Sequence, residues 1–141
     1  MSSWNDQNIS DGASLPEPQA TAISQPHWQG CKDGKLMVQC CTQCALYVFP
    51  PQPVCPQCLQ ASLEWQRSSG KGAVYSFSVV HRPQTPAFPA PYITAIIELE
   101  EGWHMLSNLI DCDTVLIGEQ VEVHFQPRGD SVLPMFKKTE L

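Results

Sequence analysis

Apolar and polar positions divide the chain into three stretches of different texture. The first, residues 1–25, is polar, contains prolines and has no period, so it reads as a mobile tail. In the second, "SQPHWQGCKDG" predicts a short helix, with Ser24 at the capping position, Pro26 just inside the first turn and Gly34 ending it. A strand follows, because Leu36, Val38 and Cys40 alternate with Lys35, Met37 and Gln39. The third stretch begins at the joint marked by Ser69, Gly70 and Gly72. Residues 72–82 form a long run of β-branched and aromatic residues, which predicts a strand. Residues 93–100 set Ile93, Ala95, Ile97 and Leu99 against Thr94, Ile96, Glu98 and Glu100. Glu101 and Gly102 turn the chain, and 103–110 returns. Residues 111–120 leave room for a helical turn before Gly118. Val121, Val123 and Phe125 then point inward, with Glu122, His124 and Gln126 outward, and 133–139 supplies a last strand. Five strands with a helical insertion after the third predict a mainly β chain ending in a small closed Greek-key barrel.

Between the helix and the barrel lies "CTQCALYVFPPQPVCPQC". Cys41, Cys44, Cys55 and Cys58 form two C-x-x-C pairs separated by a proline-stiffened hairpin. Four thiolates around one ion make a closed structural zinc site, which supplies folding energy to a module too small to gather it from burial. Redox motifs or disulfides are the alternative for such pairs. Glycine often follows each pair in zinc knuckles, whereas Ala45 and Leu59 do so here. Cys40 shares the face of Leu36 and Val38 and is expected to be buried. Cys31 and Cys112 lack a partner at ligand spacing and read as small apolar fillers.

Charge narrows the range of partners. Lys and Arg number 8 against 14 Asp and Glu, a net charge of −6. The cations are scattered, so an electrostatic track for nucleic acid is not expected. Residues 1–31 contain no Lys or Arg, as in neither a secretory signal nor a basic transit peptide. No apolar run approaches the ~20 residues of a membrane helix. These features predict a cytoplasmic protein, in which seven cysteines argue for metal or free thiols.

The segments "HWQGCKDGKLMVQCCTQC", "YVFPPQPVCPQC", "SGKGAVYSFSVVHRPQTPAFPAPY", "ITAIIELEEGWHMLSNLIDCD" and "LIGEQVEVHF" occur in an order that resembles the DUF35, or acyl-CoA-associated OB-fold, family over roughly residues 26–136. The resemblance implies a rubredoxin-like zinc ribbon with its helix over residues 26–68 and a five-stranded OB-fold domain over 69–141. It implies a structural Zn2+ held by Cys41, Cys44, Cys55 and Cys58. It also implies an accessory subunit, not catalytic on its own, for a thiolase-like enzyme: a thiolase, a lipid-transfer-type aldolase acting on steroid side chains, or an acyl-CoA condensing enzyme. Some members join hotdog-fold hydratases. A coenzyme A thioester would be shared with the partner, the OB part lining its pantetheine channel.

The residues offer a place for such contacts. The loop "RPQTPAFPAPY", 82–92, holds four prolines with Phe88 and Tyr92 between two strands. Prolines lower the entropy of a loop that must keep one shape, and aromatic rings offer rigid contact area. Tyr75, Phe77 and His81 lie on the strand leading into it. Arg82 suits a coenzyme A phosphate, or alternatively an ion pair with Glu98 or Glu100. Trp103, after the Glu101–Gly102 turn, is expected to be partly exposed and a further contact. His27 and Trp28 are expected to dock the helix, with Trp65 packed against the ribbon; none of the four histidines has a nucleophile partner in sequence.

Overall fold

The computed structural model describes residues 15–139. Part of the expected tail, 1–14, lies outside them. Residues 15–24 run along the barrel without regular structure: the Glu17 carboxylate accepts the Asp130 N–H at 2.9 Å, and the Pro16 carbonyl accepts from Arg128 at 3.3 Å. Helix α1 (Gln25–Lys32) follows, with Pro26 in its first turn. Ser24 makes no side-chain cap bond; its hydroxyl instead accepts the Thr21 N–H at 2.8 Å. Gly34, at φ +74°, lets the chain leave the helix in a conformation that side chains disfavour.

The ribbon consists of β1 (Met37–Cys41), β2 (Tyr47–Val48) and β3 (Leu63–Arg67), antiparallel in the order β2-β1-β3. Leu36, Val38 and Cys40 are buried, as their alternation predicts. Gln39, placed outward by that alternation, is buried too. Its side-chain amide donates to the Gln52 carbonyl at 3.1 Å and accepts the Gln52 N–H at 2.8 Å, so a polar side chain substitutes for missing strand pairing in the hairpin.

Strands β4 (Lys71–Val80), β5 (Tyr92–Leu99), β6 (His104–Leu109), β7 (Gln120–Arg128) and β8 (Ser131–Lys138) form a closed barrel in the order β4-β5-β6-β8-β7. All pairings are antiparallel except β6 with β8, which meet in parallel at Leu109 and Phe136. This is the five-stranded OB arrangement. The helical turn expected within 111–120 does not form. Gly118 N–H bonds to the Val74 carbonyl at 2.8 Å and Val74 N–H to the Glu119 carbonyl at 3.0 Å. Val74 thus draws two backbone groups of the segment into the β4–β7 ladder, and the only internal backbone bond there among the described residues is a tight turn, Glu119 N–H to the Leu116 carbonyl at 3.1 Å, with Gly118 at φ +88°. No helix among the described residues is long and apolar enough to cross a membrane.

Ribbon and barrel share one core. Leu36 and Val38 pack in the same cluster as Val74, Ile97, Leu99, Leu109, Val121 and Phe136, with Tyr47 and Phe49 of the ribbon hairpin against it. This corrects the expectation for Trp103, which is only 4% exposed. Its ring lies 5.2 Å from that of Phe49, so the ribbon covers the barrel end where Trp103 would otherwise meet water.

Glu101 fastens the linker between the two parts. Its carboxylate accepts the Ser68 hydroxyl and the Ser69 N–H, both at 2.7 Å, and the Trp103 indole N–H at 3.2 Å. Burial pushes this carboxyl up, but the bonds from Ser69 and Ser68 outweigh it and hold it below its ordinary 4.5. A depressed carboxyl contributes stability that is complete above the unfolded-state value and fades as pH falls through the folded one. Glu101→Gln should therefore cost about 1–3 kcal/mol at neutral pH. It should also flatten the acid limb of a denaturation-versus-pH profile. An unchanged acid limb would remove Glu101 from this role.

Candidate metal centre and ligand cavity

Two knuckles with the same bond pattern present the four clustered sulfurs. In the first, Ala45 N–H bonds to the Cys41 carbonyl at 2.9 Å and Cys41 N–H to Leu46 at 2.9 Å. In the second, Leu59 N–H bonds to Cys55 at 2.8 Å and Cys55 N–H to Gln60 at 3.0 Å. Ala45 and Leu59 stand at φ +60° and +62°, the left-handed region where glycine is at ease. The missing glycines therefore leave the knuckle geometry intact and impose local strain.

The sulfurs of Cys41, Cys44, Cys55 and Cys58 all lie within 4.8 Å of one another. Cys41 to Cys58 and Cys44 to Cys55 are each 3.6 Å. A tetrahedral ion with bonds of about 2.3 Å needs sulfurs ~3.8 Å apart, close to the spacing of those two pairs, so the set fits a zinc ion. The donor chemistry agrees. The Ser62 hydroxyl, 3.0 Å from Cys41 Sγ, acts against the cost of burial and, with the N–H groups of Cys44 and Gln43, holds that thiol down at about 6. For Cys44 the Leu46 N–H pulls downward, but burial and the sulfurs of Cys41 and Cys55 drive it up to about 12. Four negative sulfurs cannot share this volume without a cation, and a divalent ion removes the conflict. Ser62 escaped sequence reasoning because nothing in the cysteine spacing points to it.

Burial works against the thiolate form of the remaining cysteines. Burial pushes Cys31 up to about 12 and also raises Cys40 and Cys112.

Of the seven contact candidates, three come together. Arg82, Phe88 and Tyr92 line a cavity of about 400 Å3 with Val80, Gln84, Thr94 and Asn108. Tyr92 donates to Gln84 at 2.7 Å, and its ring lies 6.0 Å from that of Phe88. The Arg128 guanidinium sits 5.9 Å from the Phe88 centroid and so ties this wall to the β7–β8 turn. Glu98 takes His104 as partner at 3.2 Å, and Arg82 stands exposed at the cavity without an ion pair among the described residues.

The other candidates lie elsewhere. A bulge between Val74 and Ser76 interrupts the β4–β5 pairing, and Tyr75 packs against His104 at 4.7 Å instead of lining the cavity. Phe77, also exposed, sits beyond the bulge opposite Ala95. His81 is exposed past the end of β4, and Trp103 is in the core. Asn108, Gln84 and Arg128 were missed: barrel closure brings Asn108 and Arg128 to the loop, and Gln84, within the loop itself, is marked only by its bond to Tyr92 in the fold.

Comparison with known proteins agrees with this architecture. Residues 28–64 match the family described as "ChsH2, rubredoxin-like zinc ribbon domain", and residues 65–126 match "ChsH2, C-terminal OB-fold domain". A DUF35 domain-containing scaffold protein of Methanothermobacter thermautotrophicus is 43% identical over 91 residues, covering 61% of this chain and 68% of that protein. A probable enoyl-CoA hydratase alpha subunit of Thermomonospora curvata is 33% identical over 127 residues, or 86% of this chain; the match spans only 39% of that longer protein. Among solved structures, the Ltp2-ChsH2(DUF35) aldolase contains a chain that superposes with a TM-score of 0.80 at 30% identity. That match covers 86% of this chain and 98% of the other.

Two outcomes follow. Zinc removal by a strong chelator should abolish the ribbon's protection from amide exchange over residues 37–67 and lower the melting temperature of the barrel, since Leu36 and Val38 belong to its core. Retained protection in metal-free protein would contradict a structural ion. Ala45→Gly and Leu59→Gly should each stabilise the zinc-loaded chain. Relief of ~1–2 kcal/mol of left-handed strain exceeds the glycine entropy cost of roughly 0.5–1 kcal/mol. Urea denaturation that shows a loss would contradict the strained-knuckle reading.

Proposed function

The chain belongs to the DUF35 family of zinc-ribbon and OB-fold proteins, and from that premise we propose that it is a non-catalytic accessory subunit of a thiolase-like enzyme acting on coenzyme A thioesters. The observation that carries this reading is its near-complete superposition on the DUF35 chain of an aldolase complex, with ribbon and barrel in the same order. In this reading Cys41, Cys44, Cys55 and Cys58 hold a structural zinc. A closed four-sulfur site leaves no coordination position for substrate, so the ion stiffens the ribbon and supplies no Lewis acid. The buried Cys31 and Cys40 and the half-buried Cys112 add support, because burial disfavours the thiolate form at each of them.

Arg82, Phe88 and Tyr92 would line part of the channel for the thioester, Arg82 meeting an anionic group and the rings flanking the pantetheine arm. The exposed Tyr75 and Phe77 would face the partner protein, where aromatic side chains act as anchors. Carbon–carbon bond chemistry would belong to the partner's residues. The hydratase name of one relative supports a hydratase, which would be of the hotdog fold, as a further member of the assembly. Steroid side chains and other acyl groups are the substrates the partner would process.

The test is a tagged pull-down from the native cell with mass spectrometry of the eluate, paired with assays of the isolated chain on acyl-CoA. A stoichiometric thiolase-like protein, and no turnover by the chain alone, is the expected result. Turnover by the isolated chain, or recovery with nucleic acid in place of an enzyme, would refute the accessory role.

A further inference from the structure

Asn108 borders two hollows. One is the Arg82 cavity; the other, of about 510 Å3, opens between the segment ahead of α1, the ribbon hairpin and strands β6 and β8. Ile23, Trp28, Phe49, Leu106 and Leu133 supply apolar surface from five separate parts of the chain. Its size falls within the ~300–1,000 Å3 of small-molecule sites. We infer that this second hollow binds the uncharged hydrocarbon part of an acyl group whose polar remainder runs past Asn108 into the Arg82 cavity. The inference rests on the accessory role proposed above and adds to it a separate subsite with its ligand class.

The lining fixes that class. No Lys, Arg, Asp or Glu borders the hollow, so a carboxylate or phosphate would lose its hydration there without a counter-charge. Most of the polar wall is already committed. Ser107 donates to the Pro134 carbonyl at 2.8 Å and Asn108 to the Ile93 carbonyl at 3.1 Å. His27, only 4% exposed, also borders the hollow, with its Nε2 3.9 Å from Cys31 Sγ. Meanwhile Leu106 is 68% exposed and Ile23 36%, large apolar side chains that a hydrocarbon would withdraw from water. An anionic head therefore belongs on the Arg82 side and the tail on the Leu106 side. The ribbon, through Phe49, forms part of the tail's wall.

The test uses the zinc-loaded full chain and straight-chain thioesters from acetyl-CoA to dodecanoyl-CoA, followed by calorimetry and tryptophan fluorescence. Affinity should rise at least tenfold from acetyl-CoA to decanoyl-CoA. Leu106→Asp and, independently, Ile23→Asp should bring decanoyl-CoA back toward the acetyl-CoA value. Arg82→Ala should weaken every chain length by the same factor. Zinc content and circular dichroism check that the variants fold. Affinity independent of chain length, no thioester binding at all, or length dependence that survives both aspartate variants would overturn the inference. So would a Leu106→Asp variant that releases the partner enzyme while binding decanoyl-CoA normally, since the hollow would then be filled by polypeptide. Co-purification of wild-type chain with a thiolase-like enzyme is scored separately, so the subsite can fail while the accessory role stands.

Discussion

Convergence of the four sulfurs is the constraint on which the rest of the structure depends. Between Thr42 and Ser62 only Val48 and Cys55 are buried hydrophobic residues, and β2 is two residues long. Burial on that scale cannot offset the conformational entropy of ordering some twenty residues. The two knuckles instead bring four acidified or crowded thiols to one point, where a divalent ion converts mutual repulsion into attraction. Gln39 extends the effect by clamping the hairpin backbone at Gln52.

The consequences reach beyond the ribbon. With the hairpin fixed, Phe49 is held against Trp103 and closes one end of the barrel core. On its other side the same hairpin forms a wall of the apolar hollow. Glu101 locks the joint by taking the linker N–H and hydroxyl groups at 2.7 Å. A four-sulfur centre with no open position thus sets the shape of the surface that a ligand or partner would meet. That arrangement suits an accessory chain, whose contribution is a preformed wall.

The barrel places its recognition surface by topology. The proline-rich loop between β4 and β5 has its own stiffness, but its neighbours come from far along the chain. Asn108 arrives on β6, and Arg128 arrives from the β7–β8 turn to face the Phe88 ring. The segment before α1 is held to that same turn through Pro16 and Glu17. One half-buried arginine therefore touches both the N-terminal segment and the candidate ligand wall.

The sequence by itself determined what depends on local spacing and period. The C-x-x-C pairs, the helix closed by Gly34, the alternation of Ile93 to Leu99 and of Val121 to Phe125, and the proline loop could all be read from neighbours within a few residues. Those signals sufficed for a zinc ribbon followed by a small β barrel. Only the tertiary structure decided which apolar residues lose contact with water and which side chains meet. Trp103 follows a turn and looks exposed until a ribbon some fifty residues away covers it. Residues 111–120 have room for a helical turn until Val74 offers their backbone a better partner. Tyr75 and Phe77 lead toward the loop in sequence, yet Tyr75 meets His104 on β6 and Phe77 stays outside the cavity, opposite Ala95. In each case the deciding contact is long-range, and residue period carries no information about a partner that closure of the barrel alone brings near.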